Sequence, residues 1–156
     1  MRHAIALMFF LTLLQGALAY AALGGSPSDF GGAQPIARRL AASGAAATAA
    51  TTGAVYTVSQ STLDSGTVVR EYSDTAGKVF AVSWRGPTLP DLRTLLGEKF
   101  AVMNAAAGQR ARAGHSQLAL NQSDVVLVSS GHMRAFAGHA WIPSALPAGF
   151  DTTAIE

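Results

Sequence analysis

The chain has 156 residues, eleven lysines and arginines against nine aspartates and glutamates, and no cysteine. The missing cysteine excludes disulfides, thiolate metal sites, iron–sulfur ligation, cysteine nucleophiles and a lipidated amino-terminal cysteine. Near-neutral charge gives no general pull toward nucleic acid or an anionic membrane; the densest basic cluster is the single pair Arg38-Arg39.

Residues 1–21 read as a secretory signal peptide. Met1-Arg2-His3 is a short positive start, Ala4 to Leu14 is an apolar run broken only by Thr12, and Ala19-Tyr20-Ala21 is a small-x-small cleavage pattern. Cleavage is expected between Ala21 and Ala22, with Ala17-Leu18-Ala19 as an alternative site two residues earlier. The apolar core is shorter than the roughly 20 residues a bilayer-spanning helix needs, and no later stretch approaches that length. The sequence therefore predicts an exported protein, periplasmic or secreted, with no transmembrane anchor in the mature chain. Of the charged residues only Arg2 is removed, leaving ten basic and nine acidic.

Residues 22–53 read as a flexible lead-in rich in Gly, Ala and Ser. Gly24-Gly25-Ser26-Pro27 and Gly31-Gly32 are breaker signals, and residues 41–53 (AASGAAATAATTG) hold no large apolar side chain to bury. Ile36 to Leu40 is predicted as a helical turn. A single α+β domain is expected over 54–150, with 151–156 as a tail.

From Ala54 the pattern is that of strands. Val55–Gln60 and Thr67–Tyr72 are rich in β-branched and aromatic residues, with Leu63-Asp64-Ser65-Gly66 as a turn between them. After the turn Asp74-Thr75-Ala76-Gly77, Lys78 to Trp84 alternates, placing Phe80, Val82 and Trp84 on one face and Val79, Ala81 and Ser83 on the other. A helix is predicted over 88–107. Thr88 is its expected cap, Pro90 suits its first turn, and Leu92, Leu95, Leu96, Phe100 and Met103 form the apolar stripe, with Gly97 as an interruption. Gln117–Leu120, Val125–Ser130 and Met133–Ile142 are three further strands. The predicted fold is an antiparallel sheet of five to six strands in the order β-β-β-α-β-β-β with one main helix packed on a face; a closed small barrel or a cystatin-like wrap is the alternative.

Candidate sites are few. His115, His132 and His139 lack the spacing of a metal or catalytic motif, and packed or surface histidine is the plainer reading. Ser129-Ser130-Gly131-His132 brings hydroxyls near an imidazole, but no Gly-x-Ser-x-Gly elbow is present. Nothing in the spacing of Asp91, Glu98 and Asp124 forces two carboxylates together. Neither glycine pair sits between a strand and a helix as a phosphate loop requires. The most distinctive segment is the corner from Trp84 to Leu92. As a recognition corner, Trp84, Arg85, Thr88 and Asp91 would grip a peptide or glycan. As structure, Trp84 finishes a strand face and Thr88 caps a helix, and the structural account is preferred.

Three stretches together resemble a family of exported bacterial proteins known as a domain of unknown function, DUF2844. They are Ala22-Leu23-Gly24-Gly25, the Trp84–Asp91 corner running into Leu95-Leu96-Gly97, and Arg134-Ala135-Phe136-Ala137-Gly138 through Pro143 and Pro147-Ala148-Gly149. The resemblance spans nearly the whole mature chain. It implies export and one small domain, and transfers no catalytic residue, ligand or cofactor. The functional expectation is a non-enzymatic binding or accessory protein whose partner is a protein, a peptide or a cell-envelope component, not nucleic acid. An exposed edge strand would suit such a partner. The alternative is a small hydrolase using a histidine with a serine or carboxylate.

Overall fold

The computed structural model describes residues 23–28, 34–36, 55–109 and 117–155. Their β-branched and aromatic runs form one antiparallel sheet of seven strands: β1 (Gln34–Ile36), β2 (Thr57–Thr62), β3 (Val68–Ser73), β4 (Val79–Gly86), β5 (Gln117–Asn121), β6 (Val126–His132) and β7 (Ala135–Trp141). Two short helices, α1 (Leu92–Leu96) and α2 (Lys99–Gln109), lie between β4 and β5. The spatial order β1-β2-β3-β4-β7-β6-β5 makes a four-strand meander (β1 to β4) and a three-strand meander (β5 to β7), joined through β4 and β7. The α+β class, the strand–helix–strand order and the open sheet agree with the sequence-based expectation; the barrel does not form, because β1 and β5 remain the two edges.

The predicted single helix is two. Gly97 has φ 52° and ψ −126°, a backbone conformation open to glycine alone, and its N–H returns to Arg93 O at 3.0 Å to close α1. The stripe still packs as one surface: Leu95 and Leu96 are fully buried, Leu92 and Met103 nearly so, and Phe100 lies at the margin under the Arg93 guanidinium. Asp91, and not Thr88, caps the helix. Its carboxylate accepts from Arg93 N at 2.9 Å and from Thr94 Oγ1 at 2.6 Å. Thr88 is instead tied to the β2–β3 turn, its carbonyl accepting from Thr67 Oγ1 at 2.7 Å and its amide donating back to the same hydroxyl at 3.3 Å.

Both faces of the sheet are covered, at least in part. On one, Val69, Val82, Trp84, Leu120, Leu127 and Ala140 meet the helix leucines, Met103 and Leu23. On the other, Tyr56, Val58, Tyr72, Phe80 and Ala81 meet Leu146, Phe150 and Ile155 of the carboxy-terminal segment. Phe150 sets its ring edge-on to Phe80 at 4.9 Å and to Tyr56 at 5.0 Å. Phe80 thus does not share a face with Val82 and Trp84 as strict alternation predicted. Tyr72 pairs with Ala81 but Ser73 with Val79, so Phe80 is an extra residue in β4, and the bulge turns its ring away from the helix.

Two pieces of the expected lead-in have defined places. Leu23–Ser28 runs as a strap between α1 and β4: Leu23 N donates to Leu95 O at 3.2 Å, Gly24 N to Val79 O at 2.7 Å, and Val79 N to Gly25 O at 2.8 Å. Leu23 is 4% exposed. Gln34–Ile36 forms β1, so Ile36 ends a strand and does not open a helical turn; Ala37–Leu40, the alanine-rich run 41–53 and the cleavage residues Ala19, Ala21 and Ala22 lie outside the described residues.

Candidate functional site

Strand β2 reads Thr57-Val58-Ser59-Gln60-Ser61-Thr62, so period-two alternation sends Val58 to the aromatic cluster and puts Thr57, Ser59 and Ser61 on the opposite face. The hydroxyls of Thr57, Ser59, Ser73 and Thr75 border a recess of about 420 Å³, closed on its far side by Pro27 and Ser28 of the strap and at one end by Asp74 and Gly77. It lies on the helix side of the sheet, where the strap ends and the helices no longer cover the strands.

The wall of the recess is pinned by a buried carboxylate. Glu71 on β3 is 2% exposed and accepts from Ser28 three times: from its amide at 3.2 Å to Oε1 and 3.0 Å to Oε2, and from its hydroxyl at 2.5 Å to Oε1. Burial raises the Glu71 pKa, and the bonds from the Ser28 hydroxyl and amide oppose that rise without cancelling it. A buried carboxylate that lost these donors would be left unsolvated, so the clamp fixes Ser28, and with it the recess edge, against the sheet. Asp74 is likewise engaged, its Oδ1 accepting from Ala76 N and Lys78 N at 2.9 Å each to close the β3–β4 turn.

The expected recognition corner comes apart. Trp84 is 2% exposed, its indole crossing Gly138 of β7 on the helix side, and it presents nothing to a ligand. Thr88 and Asp91 are exposed but occupied by the Thr67 and helix-cap contacts. The hydrogen bond from the Thr94 hydroxyl, aided by backbone amides and Arg93, holds the Asp91 carboxyl below the usual range. Gly86 lies so close to Thr67 that a Cβ there would fall 2.4 Å from the Thr67 Cα, which is why the chain turns on a glycine at this point. Arg85 alone stands exposed on the opposite face of the sheet.

The remaining polar candidates are dispersed. His132 ends β6 and His139 sits mid-β7, so they occupy two strands; His115 lies outside the described residues. Ser130 Oγ donates to Ala137 O at 3.3 Å, while Ser129 faces the other side of the sheet. Asp124 pairs with Lys99 at 3.0 Å, tying α2 to the β5–β6 turn, and Glu98 is exposed between the helices. Among the described residues there is no group of three His, Cys, Asp or Glu side chains able to hold a metal, and no helix long and apolar enough to cross a membrane. The hydroxyl recess was missed by sequence reasoning, although the alternation of Thr57 and Ser59 in β2 was its visible signal.

The architecture defines a small α+β protein: an open antiparallel sheet with a broken helix on one face and an aromatic-anchored tail on the other. The chain belongs to the family described as "Protein of unknown function (DUF2844)", whose match covers residues 19–155. That span takes in both the strap from Leu23 and the tail to Ile155, so the match covers every described element. No curated protein and no solved structure matches the chain.

Proposed function

We propose that this is an exported, non-enzymatic binding or accessory protein whose ligand lies in the hydroxyl-lined recess between the strap and strands β2 and β3. The observation that carries the reading is the Ser28–Glu71 clamp. The only buried carboxylate among the described residues is spent on holding the recess wall, leaving a rim of hydroxyls that donate and accept hydrogen bonds. Such a rim on a rigid sheet suits a ligand rich in hydroxyl and amide groups, such as a peptidoglycan fragment. Export is supported by the positive start, the apolar run and the small-x-small pattern of residues 1–21.

Calorimetric titration with muramyl peptides tests the binding half: saturable binding is expected, weakened about tenfold by Ser59→Val. No binding, or binding indifferent to that substitution, rejects the recess. Cell fractionation with amino-terminal sequencing tests export; a chain beginning at Ala22 or Tyr20 outside the cytoplasm is expected, and an unprocessed cytoplasmic chain rejects it.

A further inference from the structure

Of the eight residues that line the recess, only Asp74 carries a charge; the other seven are hydroxyl residues, a proline and a glycine. Asp74 stands at the end formed by the β3–β4 turn and is fixed there by that turn. Its Oδ1 accepts from Ala76 N and Lys78 N, its amide donates to Lys78 O at 2.9 Å, and its carbonyl accepts from Gly77 N at 3.0 Å. Both side-chain bonds fall on Oδ1, so Oδ2 has no donor among the described residues. Gly77 has φ 79°, and a Cβ added to it would meet nothing within 4 Å, so protein does not fill this end of the recess. Thr57 and Ser73, paired across β2 and β3, supply the hydroxyls of the adjoining row, and Thr75 supplies one from the turn itself. No basic side chain lines the recess. Lys78, the nearest in sequence, is exposed and makes no ion pair with Asp74; the ion pair among the described residues is Lys99 with Asp124.

We infer that the recess selects its ligand by a primary ammonium group, with Asp74 as the specificity-determining residue. The inference rests on the reading of the recess as the ligand site and names what that ligand must carry. An ammonium has three donors and no acceptor, and a carboxylate set beside hydroxyl oxygens offers it acceptors together with an opposite charge. A ligand carboxylate or phosphate at the same end would face Asp74 with no cation to offset the repulsion. Two kinds of envelope fragment carry a primary ammonium: a peptide stem with a diamino acid, and a glycan with a deacetylated amino sugar.

The test is calorimetric titration of the full chain at about 50 mM salt with two matched pairs of ligands. One pair is a muramyl tripeptide ending in lysine and its Nε-acetyl form; the other is the free-amine trimer of glucosamine and its N-acetylated form. In at least one pair the free amine binds about tenfold more tightly than the acetylated ligand, and the pair that shows it identifies the source. Asp74→Asn keeps the Oδ1 acceptor that both turn amides use and removes the charge, so it abolishes the preference and leaves the acetylated ligand's affinity unchanged. Asp64→Asn, in the β2–β3 turn at the far end of the strands, removes the same charge outside the recess and leaves the preference intact. Ser59→Val weakens both members of the pair. Equal binding of free and acetylated forms in both pairs overturns the inference, as does a preference that survives Asp74→Asn or vanishes with Asp64→Asn; in each case the recess itself stands. Loss of the acetylated ligand in Asp74→Asn also overturns it, by making Asp74 a structural residue. Failure of all four ligands to bind, or binding indifferent to Ser59→Val, rejects the recess and the inference with it.

Discussion

Replacing Gly138 with alanine puts the packing of the helix-side core under direct test. A Cβ at that position would lie 2.3 Å from Trp84 Cζ2, 2.6 Å from Trp84 Cε2 and 2.7 Å from Val128 O. Carbon atoms in contact sit about 3.5–4.0 Å apart, so the indole must retreat by more than an ångström. It has nowhere to go: the ring is 2% exposed and enclosed by the helix leucines, and Val128 is held in the β6–β7 ladder. Overpacking of this kind costs about 1–3 kcal/mol, and two immovable neighbours place Gly138→Ala at the upper end, about 3 kcal/mol. For a domain of this size that is a fall in melting temperature of about 10 °C. Urea unfolding followed by far-ultraviolet circular dichroism measures it without relying on the tryptophans. In a Trp84→Leu background the alanine meets a smaller side chain, and its cost falls by at least about 1 kcal/mol, a coupling that a double-mutant cycle resolves. A Gly138→Ala protein within about 0.5 kcal/mol of the parent, or a cost unchanged when Trp84 is leucine, refutes the indole-over-glycine packing.

Three further expectations use the same measurements. Gly97→Ala forces a side chain into φ 52°, ψ −126° and costs about 1–3 kcal/mol, whereas Gly108→Ala, which meets nothing within 4 Å, is neutral or stabilising by up to about 1 kcal/mol; equal effects refute the helix break. Leu23→Ala costs about 2–4 kcal/mol if the strap is a true core element, and urea unfolding showing no change shows that it is not. The third concerns pH. Burial raises the Glu71 pKa above 4.5, so the folded state holds that proton more tightly than the unfolded chain, and stability falls as pH rises from about 4.5 through the folded value. Desolvation lowers the His139 pKa below 6.5, so the unfolded chain binds its proton first, and stability falls as pH drops below about 6.5. The two trends oppose one another in the parent, so Glu71→Gln should remove the first and His139→Gln the second in melting temperatures recorded from pH 4 to 8; a variant that keeps the trend assigned to its residue refutes that assignment.

What could be read from the sequence was what depends on neighbours a few residues apart. Six strands, their turns and the helix stripe follow from periods of two and of three to four, and apart from Val79 and Phe80, which exchange faces, the apolar residues fall where the pattern puts them. The misses share a different cause. Strand β1 is three residues with a proline in the middle, tolerable only because it lies at an edge and pairs with β2 alone, so it carries no alternation to detect. Phe80 changed faces because a bulge inserted one residue between two registers, and a single inserted residue inverts every side chain beyond it. Leu23 looked like an isolated apolar residue among glycines, yet those glycines let the backbone approach Val79 closely enough to pair with it. Glu71 offered a sharper signal that was not used. Its place two residues after Val69 put a carboxylate on an apolar face, and a charge there requires a donor. That donor, Ser28, is 43 residues away in a segment with no periodicity of its own. The recess is therefore legible only as an obligation: the strands announce that something must cover Glu71, and only the three-dimensional path of the strap shows that Ser28 covers it and leaves the hydroxyls of β2 as the open wall beside it.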